Sequence, residues 1–187
     1  MKVIQLHQEE AEIIQLAIDN NRQAQQQIYS KFSSKMLSVC RQYIKDIQLA
    51  EDVMITSFMK VFTNLKRFEN KGSFEGWIKK IMINKALDHL KLTKQYKNKV
   101  DFNDKYPMDA VLIDNEALSN IQMEELHSII QTLPAMNLVV FNLYAIEGYS
   151  HKEIAEELNI NEGTSRWYLA NARQILKVQL QKRYTNT

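Results

Sequence analysis

Arg166, Trp167, Ala170, Asn171 and Arg173 offer the clearest chemistry in the chain. In EGYSHKEIAEELNINEGTSRWYLANAR, residues 147 to 173, they fall on one side of a helix. Ser165, Leu169, Ala172 and Leu176 recur on the other side at i, i+4, i+7 and i+11. A guanidinium pairs bidentately with guanine and a carboxamide with adenine, so the outward set can read base edges. Thr164, in the first turn of the same helix, joins it as a candidate contact.

Two local signals position that helix. Ser150 followed by Glu153 is a capping box, in which each side chain satisfies the other residue's amide, so a helix starts there. It ends near Leu158; Asn159, Ile160 and Asn161 make the turn, and Asn161 can cap the second helix. Ile154, Ala155 and Leu158 face inward to meet the second helix. A short helix, a three-residue turn and a longer basic helix make a helix-turn-helix, whose second helix fits the major groove of DNA. Ser150, His151 and Lys152 would then lie at the positive end of the first helix, where a phosphate is favoured. A plain helical hairpin with a solvated basic face is the other reading of this pattern.

The rest of the chain also reads as helix. Residues 1 to 71 contain no Gly and no Pro, which leaves polar caps and solvent-facing turns as the only breaks. Ala50, Met54, Ser57, Phe58, Val61 and Leu65 form a stripe along one helix side, with Asp52, Thr56 and Lys60 away from it. Ser73 is placed to cap a further helix with Phe74, Trp77, Ile78 and Ile81 on its inner side. Beyond Lys91 the apolar period dissolves, and 98–121 reads as an acidic flexible linker able to span up to ~75 Å at ~3.3 Å per residue. Helical character returns in IQMEELHSIIQTL, stops at Pro134, and resumes until Gly148. No segment shows sustained two-residue alternation. The expected fold is all-α, with two small helical domains, 1–97 and 122–187, joined by that linker, and the C-terminal one containing the helix-turn-helix.

Charge follows the same division. Between Lys31 and Lys99 there are fifteen basic and six acidic residues, from Asp101 to Glu125 one basic and seven acidic, and from Glu162 onward five basic and one acidic. Two polyanion-facing modules separated by a spacer would have this pattern. The single cysteine, Cys40, cannot form an intramolecular disulfide. The first ten residues lack the apolar run of a secretory signal, and no run approaches the ~20 residues of a membrane span. A cytoplasmic location without membrane insertion is expected.

Three blocks, LAEDVMITSFMKVFTNLKRF, GSFEGWIKKIMINKALDHLK and LPAMNLVVFNLYAIEGYSHKEIAEELNINEGTSRWYLANARQIL, occur in that order. Together they resemble the ECF (extracytoplasmic function) sigma factors of bacterial RNA polymerase, over about residues 10 to 97 and 122 to 183. The resemblance implies an N-terminal domain, sigma region 2-like, that binds core polymerase and opens the minus-ten element. It implies a C-terminal, region 4-like domain that reads the minus-thirty-five element. Two such sites lie about two DNA turns apart, ~70 Å, which is close to the reach of the linker.

Residue by residue, the resemblance places Asp52, Ile55, Thr56, Met59 and Lys60 on the helix face that grips the clamp coiled coil of core polymerase. The family commonly has Gln-Glu where this chain has Ile55 and Thr56. Minus-ten binding and melting fall to Lys66, Lys71, Trp77, Lys79, Lys80, Asn84, Lys85 and Lys91. The lysines suit phosphates, and Asn84 with Asp88 matches letters of the family motif. Trp77 is a core residue more readily than a stacking platform, so receiving unstacked bases falls to the loop Lys66 to Phe74 and the exposed top of the helix that follows. In the reading helix Tyr168 and Asn171 stand where Arg or Lys is common, and Trp167 where a small polar residue is common. Implied partners are core polymerase, through its clamp coiled coil and flap, promoter DNA and an anti-sigma factor.

Competing classes have less to stand on. His7, His89, His127 and His151 are scattered over four segments, with no Gly-rich phosphate loop and no metal-ligand spacing, so catalysis, metals and cofactors are not expected. A stand-alone helix-turn-helix regulator that binds duplex DNA without polymerase is the alternative function. It would have no use for the basic N-terminal half. A helical adaptor without nucleic acid would leave the charge segregation unexplained.

Overall fold

Polar side chains delimit the first helices, as the lack of Gly and Pro requires. The computed structural model describes residues 2–69, 71–92 and 123–184, and the proposed linker, 98–121, lies outside the described residues. Eight α-helices and no strand occur among them. The chain divides into two compact units, within Met1–Thr93 and Lys94–Thr187.

In the N-terminal unit, α1 (Lys2–Ile18) stops at Asn20, which takes the left-handed φ of 62° that Asn tolerates better than most side chains. Asn21 caps α2 (Arg22–Arg41), its Oδ1 accepting from the Ala24 amide at 3.1 Å. Asp46 caps α3 (Ile47–Asn64) in the same way through the Leu49 amide, at 3.0 Å. A 3-10 turn, Leu65–Arg67, closes α3, and α4 (Phe74–Leu92) begins where Ser73 Oγ accepts from the Gly76 amide at 3.0 Å. A Cβ on Gly76 would sit 2.9 Å from that oxygen, so the absence of a side chain leaves the cap room.

α2, α3 and α4 pack on one another and α1 lies on α2. The stripe expected on α3 is buried throughout, and α2 contributes Ile28, Phe32, Met36, Val39 and Cys40. On α4 the inner side runs through Phe74, Ile78, Met82, Ala86 and Leu87. Trp77 and Ile81, expected on that side, are only half-buried, because they flank the contact stripe instead of centring on it. Each large apolar side chain taken fully from water contributes ~1.5–3 kcal/mol before entropy is counted.

In the C-terminal unit, α5 (Met123–Ile130), α6 (Ala135–Phe141) and α7 (His151–Leu158) all pack on the long α8 (Glu162–Tyr184). α6 continues into a wider π-turn, Asn142–Ile146, before Gly148 takes a φ of 75° and ends the run. Ile129, Ile130, Leu133, Leu138, Ala172 and Leu176 form one buried cluster. Asn137, 3% exposed, donates from Nδ2 to the Tyr168 carbonyl at 3.0 Å and ties α6 to the backbone of α8.

The turn between α7 and α8 hinges on Asn159, held left-handed at φ 54° and ψ 49°. We expect Asn159→Ala to lower the stability of this unit by about 1–2 kcal/mol and Asn159→Gly to be tolerated, because Cβ is what the left-handed region penalises. Chemical denaturation of the two variants checks this.

Candidate functional site

The start of α7 is built as the capping box requires. Glu153 donates its amide to Ser150 Oγ at 3.2 Å, while the Glu153 carboxylate accepts from the Ser150 amide at 2.8 Å and the Ser150 hydroxyl at 2.7 Å. Both donors of Ser150 are therefore engaged within the helix end, which takes this residue out of direct phosphate contact in this conformation. Lys152 is exposed beside it.

Asn161 starts α8 with a single oxygen, Oδ1, that accepts from the Thr164 amide at 2.7 Å and the Thr164 hydroxyl at 2.8 Å. Thr164 is consequently 4% exposed. The sequence reading of Thr164 as a DNA contact is corrected here: its hydroxyl serves the cap, and the third position after the N-cap faces the core. Tyr168, 8% exposed, is also inside.

The outward side of α8 carries Arg166, Trp167 and Ala170 exposed, with Asn171 and Arg173 half-buried. Arg166 reaches back to Glu162, Nη2 to Oε2, at 3.0 Å. Both side chains are about half exposed, so solvent screens the pair and it is worth only a few tenths of a kcal/mol. Its use is to hold the guanidinium near the first turn. Trp167 leans edge-on against Tyr168, ring centroids 5.0 Å apart at 71°, which restrains its indole.

His151 has a different environment from the one its position at a helix start suggests. It is half-buried, its Nδ1 lies 2.9 Å from the buried Ser165 Oγ, and its ring stacks on Tyr144 at 4.6 Å and 25°. The Arg173 guanidinium sits over the same Tyr144 ring at 5.8 Å. Tyr144 had no part in the sequence reading. It comes from the π-turn, and no local periodicity pairs it with His151 or Arg173.

The N-terminal unit exposes a second surface. Asp52, Ile55, Thr56, Met59 and Lys60 are all exposed on one side of α3, with Ile55 at 48% and Met59 at 64%. The Thr56 hydroxyl is turned back onto its own helix, donating to backbone carbonyls at 3.0 Å, so the apolar pair dominates this face. Near the start of α4, Lys66 and Lys80 are exposed, and Lys71 is exposed and pairs with Glu69 at 2.6 Å. Lys79, Asn84, Lys85 and Lys91 are half-buried. Trp77 packs against Phe68 at 5.5 Å and Phe74 at 5.9 Å. Phe68, within the loop Lys66 to Phe74 expected to receive unstacked bases, also meets Phe74 at 5.1 Å and completes this aromatic group. Among the described residues no three His, Cys, Asp or Glu side chains gather as a metal site, and no helix is long and apolar enough to cross a membrane.

Burial, then the Arg166 cation, lower the His151 pKa below its ordinary 6.5; Arg173 adds to this and Glu162 opposes it. Above that value the ring is neutral in both the folded and unfolded states and contributes nothing to pH dependence. As pH falls through 6.5 the unfolded chain takes the proton first, so stability declines until the lowered folded pKa is reached. We expect the His151 imidazole to titrate below 6.5 by NMR, and Arg166→Ala to move the midpoint up.

Comparison with known proteins agrees with this geometry. The family model "Sigma-70 region 2" matches residues 28–95 and "Sigma-70, region 4" matches 123–176. The chain is 28% identical over 163 residues to the RNA polymerase sigma-H factor of Pseudomonas aeruginosa, covering 81% of this chain and 83% of that one. It is 27% identical over 167 residues to the ECF RNA polymerase sigma factor SigW of Bacillus subtilis, covering 80% and 84%. The fold is similar to that of the sigma factor RpoE solved in complex with the anti-sigma factor NepR from Bartonella quintana. That match has a TM-score of 0.51 at 18% identity, over 84% of this chain and 96% of that one. Two family matches in the expected order, one on each unit, together cover more than half of the chain. The protein belongs to the ECF sigma factors, which direct promoter recognition by RNA polymerase.

Proposed function

We propose that the two units divide the work of initiation. The N-terminal unit, within 1–97, binds core polymerase through the exposed side of α3 and engages the minus-ten element from the start of α4. The C-terminal unit, within 122–187, reads the minus-thirty-five element with α8, and 98–121 tethers the two. The observation that carries this reading is the contrast between the two exposed faces. Ile55 and Met59 offer apolar area flanked by Asp52 and Lys60, which suits a protein surface. Arg166, Trp167 and Asn171 offer donors and a ring on a helix of groove-compatible geometry, which suits base edges.

Around the start of α4, the exposed Lys66, Lys71 and Lys80 are phosphate contacts, since a flexible point charge needs no fixed base geometry. The Phe68, Phe74 and Trp77 group supports a surface for unstacked bases, where stacking is worth ~1–3 kcal/mol per base. The protein acts in the cytoplasm without catalysis of its own. An anti-sigma factor, the kind of partner present in the Bartonella quintana complex, restrains it until a signal arrives.

The polymerase surface is tested by the full-length Ile55→Glu, Met59→Glu double variant in competition with the wild-type chain for core enzyme. Burying two uncompensated carboxylates should weaken association at least about tenfold while leaving duplex binding by the isolated factor unchanged. Equal competition by the double variant rejects this face as the contact.

The reading helix is tested by separating specificity from affinity. Arg166→Ala should remove discrimination at one base pair, costing ~1–3 kcal/mol on the preferred sequence and much less on a substituted one. Lys152→Ala should weaken all sequences alike and lower the salt slope by about one. Holoenzyme binding to single-base promoter variants at several salt concentrations measures both. A uniform loss for Arg166→Ala makes that residue a phosphate anchor and passes base reading to Trp167 or Asn171.

A further inference from the structure

We propose that His151 and Ser165 form a register lock that fixes the rotation of the reading helix in the groove, making His151 a specificity-determining positioning residue. This rests on the reading role of the C-terminal unit. Ser165 is 0% exposed and lies on the inner side of α8 immediately before Arg166 and Trp167. A hydroxyl in such a place must find a partner, and it finds His151 Nδ1 at 2.9 Å, fourteen residues earlier and on the other helix of the pair. The other residues at the contact between α7 and α8, Ile154, Leu158 and Leu169 among them, are apolar. Asn137 also bonds the α8 backbone, at Tyr168, but from α6, so it sets no rotation of α8 against α7. Apolar contact is non-directional and does not by itself single out one rotation of α8 on α7. The His151 to Ser165 bond does, because its strength falls steeply with distance and angle.

The lock also has a support. The His151 ring is stacked on Tyr144 at 4.6 Å and 25°, so the nitrogen that meets Ser165 is held from the π-turn as well as from α7. A rotation of α8 that kept the apolar cluster would carry Arg166 and Trp167 around the axis together and misalign both with the base edges. The pair therefore acts on discrimination more than on stability. This differs from a phosphate-anchor role for His151, which would weaken every sequence alike.

The test uses reconstituted holoenzyme and a duplex selected by the wild-type protein from a random pool in the minus-thirty-five segment. The variants are Ser165→Ala, His151→Phe, His151→Asn and His151→Gln. Asn carries its amide atoms at the same reach from the backbone as His Nδ1, whereas Gln reaches as far as Nε2. The ratio of affinities for the selected duplex and its single-base variants should drop about two- to tenfold in Ser165→Ala and His151→Phe, the range of one neutral hydrogen bond. His151→Asn should restore the ratio and His151→Gln should not, with little change in salt slope for any of them. A ratio unchanged in Ser165→Ala overturns the lock, and so does His151→Asn behaving like His151→Phe. Loss that is uniform over all duplexes assigns His151 to the backbone and also overturns it. If the wild-type holoenzyme shows no preference within the segment, the reading role itself fails, and the lock with it.

Discussion

The buried side of α8 is the constraint on which the C-terminal unit depends. α5, α6 and α7 have too few residues to bury an apolar face against one another, and each packs on α8 instead. Ser165, Leu169, Ala172 and Leu176 must therefore stay inside along most of one helix length. The opposite side is left to solvent or DNA by the same geometry. Core packing and the proposed base reading are thus two sides of one helix.

The N-terminal unit solves its packing differently. α2, α3 and α4 pack on one another in turn, so no single helix carries the core. The stripe on α3 spans the whole helix and leaves Ile55 and Met59 outside it. Their exposure follows from register: Ile55 and Met59 each come one residue after an adjacent buried pair, Val53–Met54 and Ser57–Phe58, and at 3.6 residues per turn a third consecutive position swings off the buried face. The unit itself does not bury the apolar area that Ile55 and Met59 carry.

Local and periodic features were legible in the sequence. Ser150 with Glu153, Asn161 and Ser73 announce helix starts because a cap is made within three residues. The α3 stripe and the inner side of α8 are readable because burial repeats with the helix. What escaped depends on contacts between distant segments or on one side chain being captured by another. Thr164 is available by its helical position alone, but Asn161 Oδ1 takes its hydroxyl. His151 reads locally as a helix-start phosphate contact, yet Ser165 and Tyr144, fourteen and seven residues away, give it a sheltered position. The π-turn that delivers Tyr144 inserts an extra residue into the helical period, which a 3.6-residue template misses. Phe68 lies in the expected base-receiving loop, but after a 3-10 turn no helical period predicts its ring contacts with Phe74 and Trp77.

Cys40 packs into the core of the N-terminal unit from α2. It is 0% exposed, and burial pushes its thiol up to about 12, so almost none of it is thiolate at neutral pH and oxidants or alkylating reagents have no nucleophile to meet. The chain has no other cysteine. Its natural sequence is therefore silent toward maleimides as long as the N-terminal unit stays folded. A cysteine introduced on an exposed position would be the single point of attachment for a spectroscopic reporter, and labelling of Cys40 itself would mark each opening of the core around it.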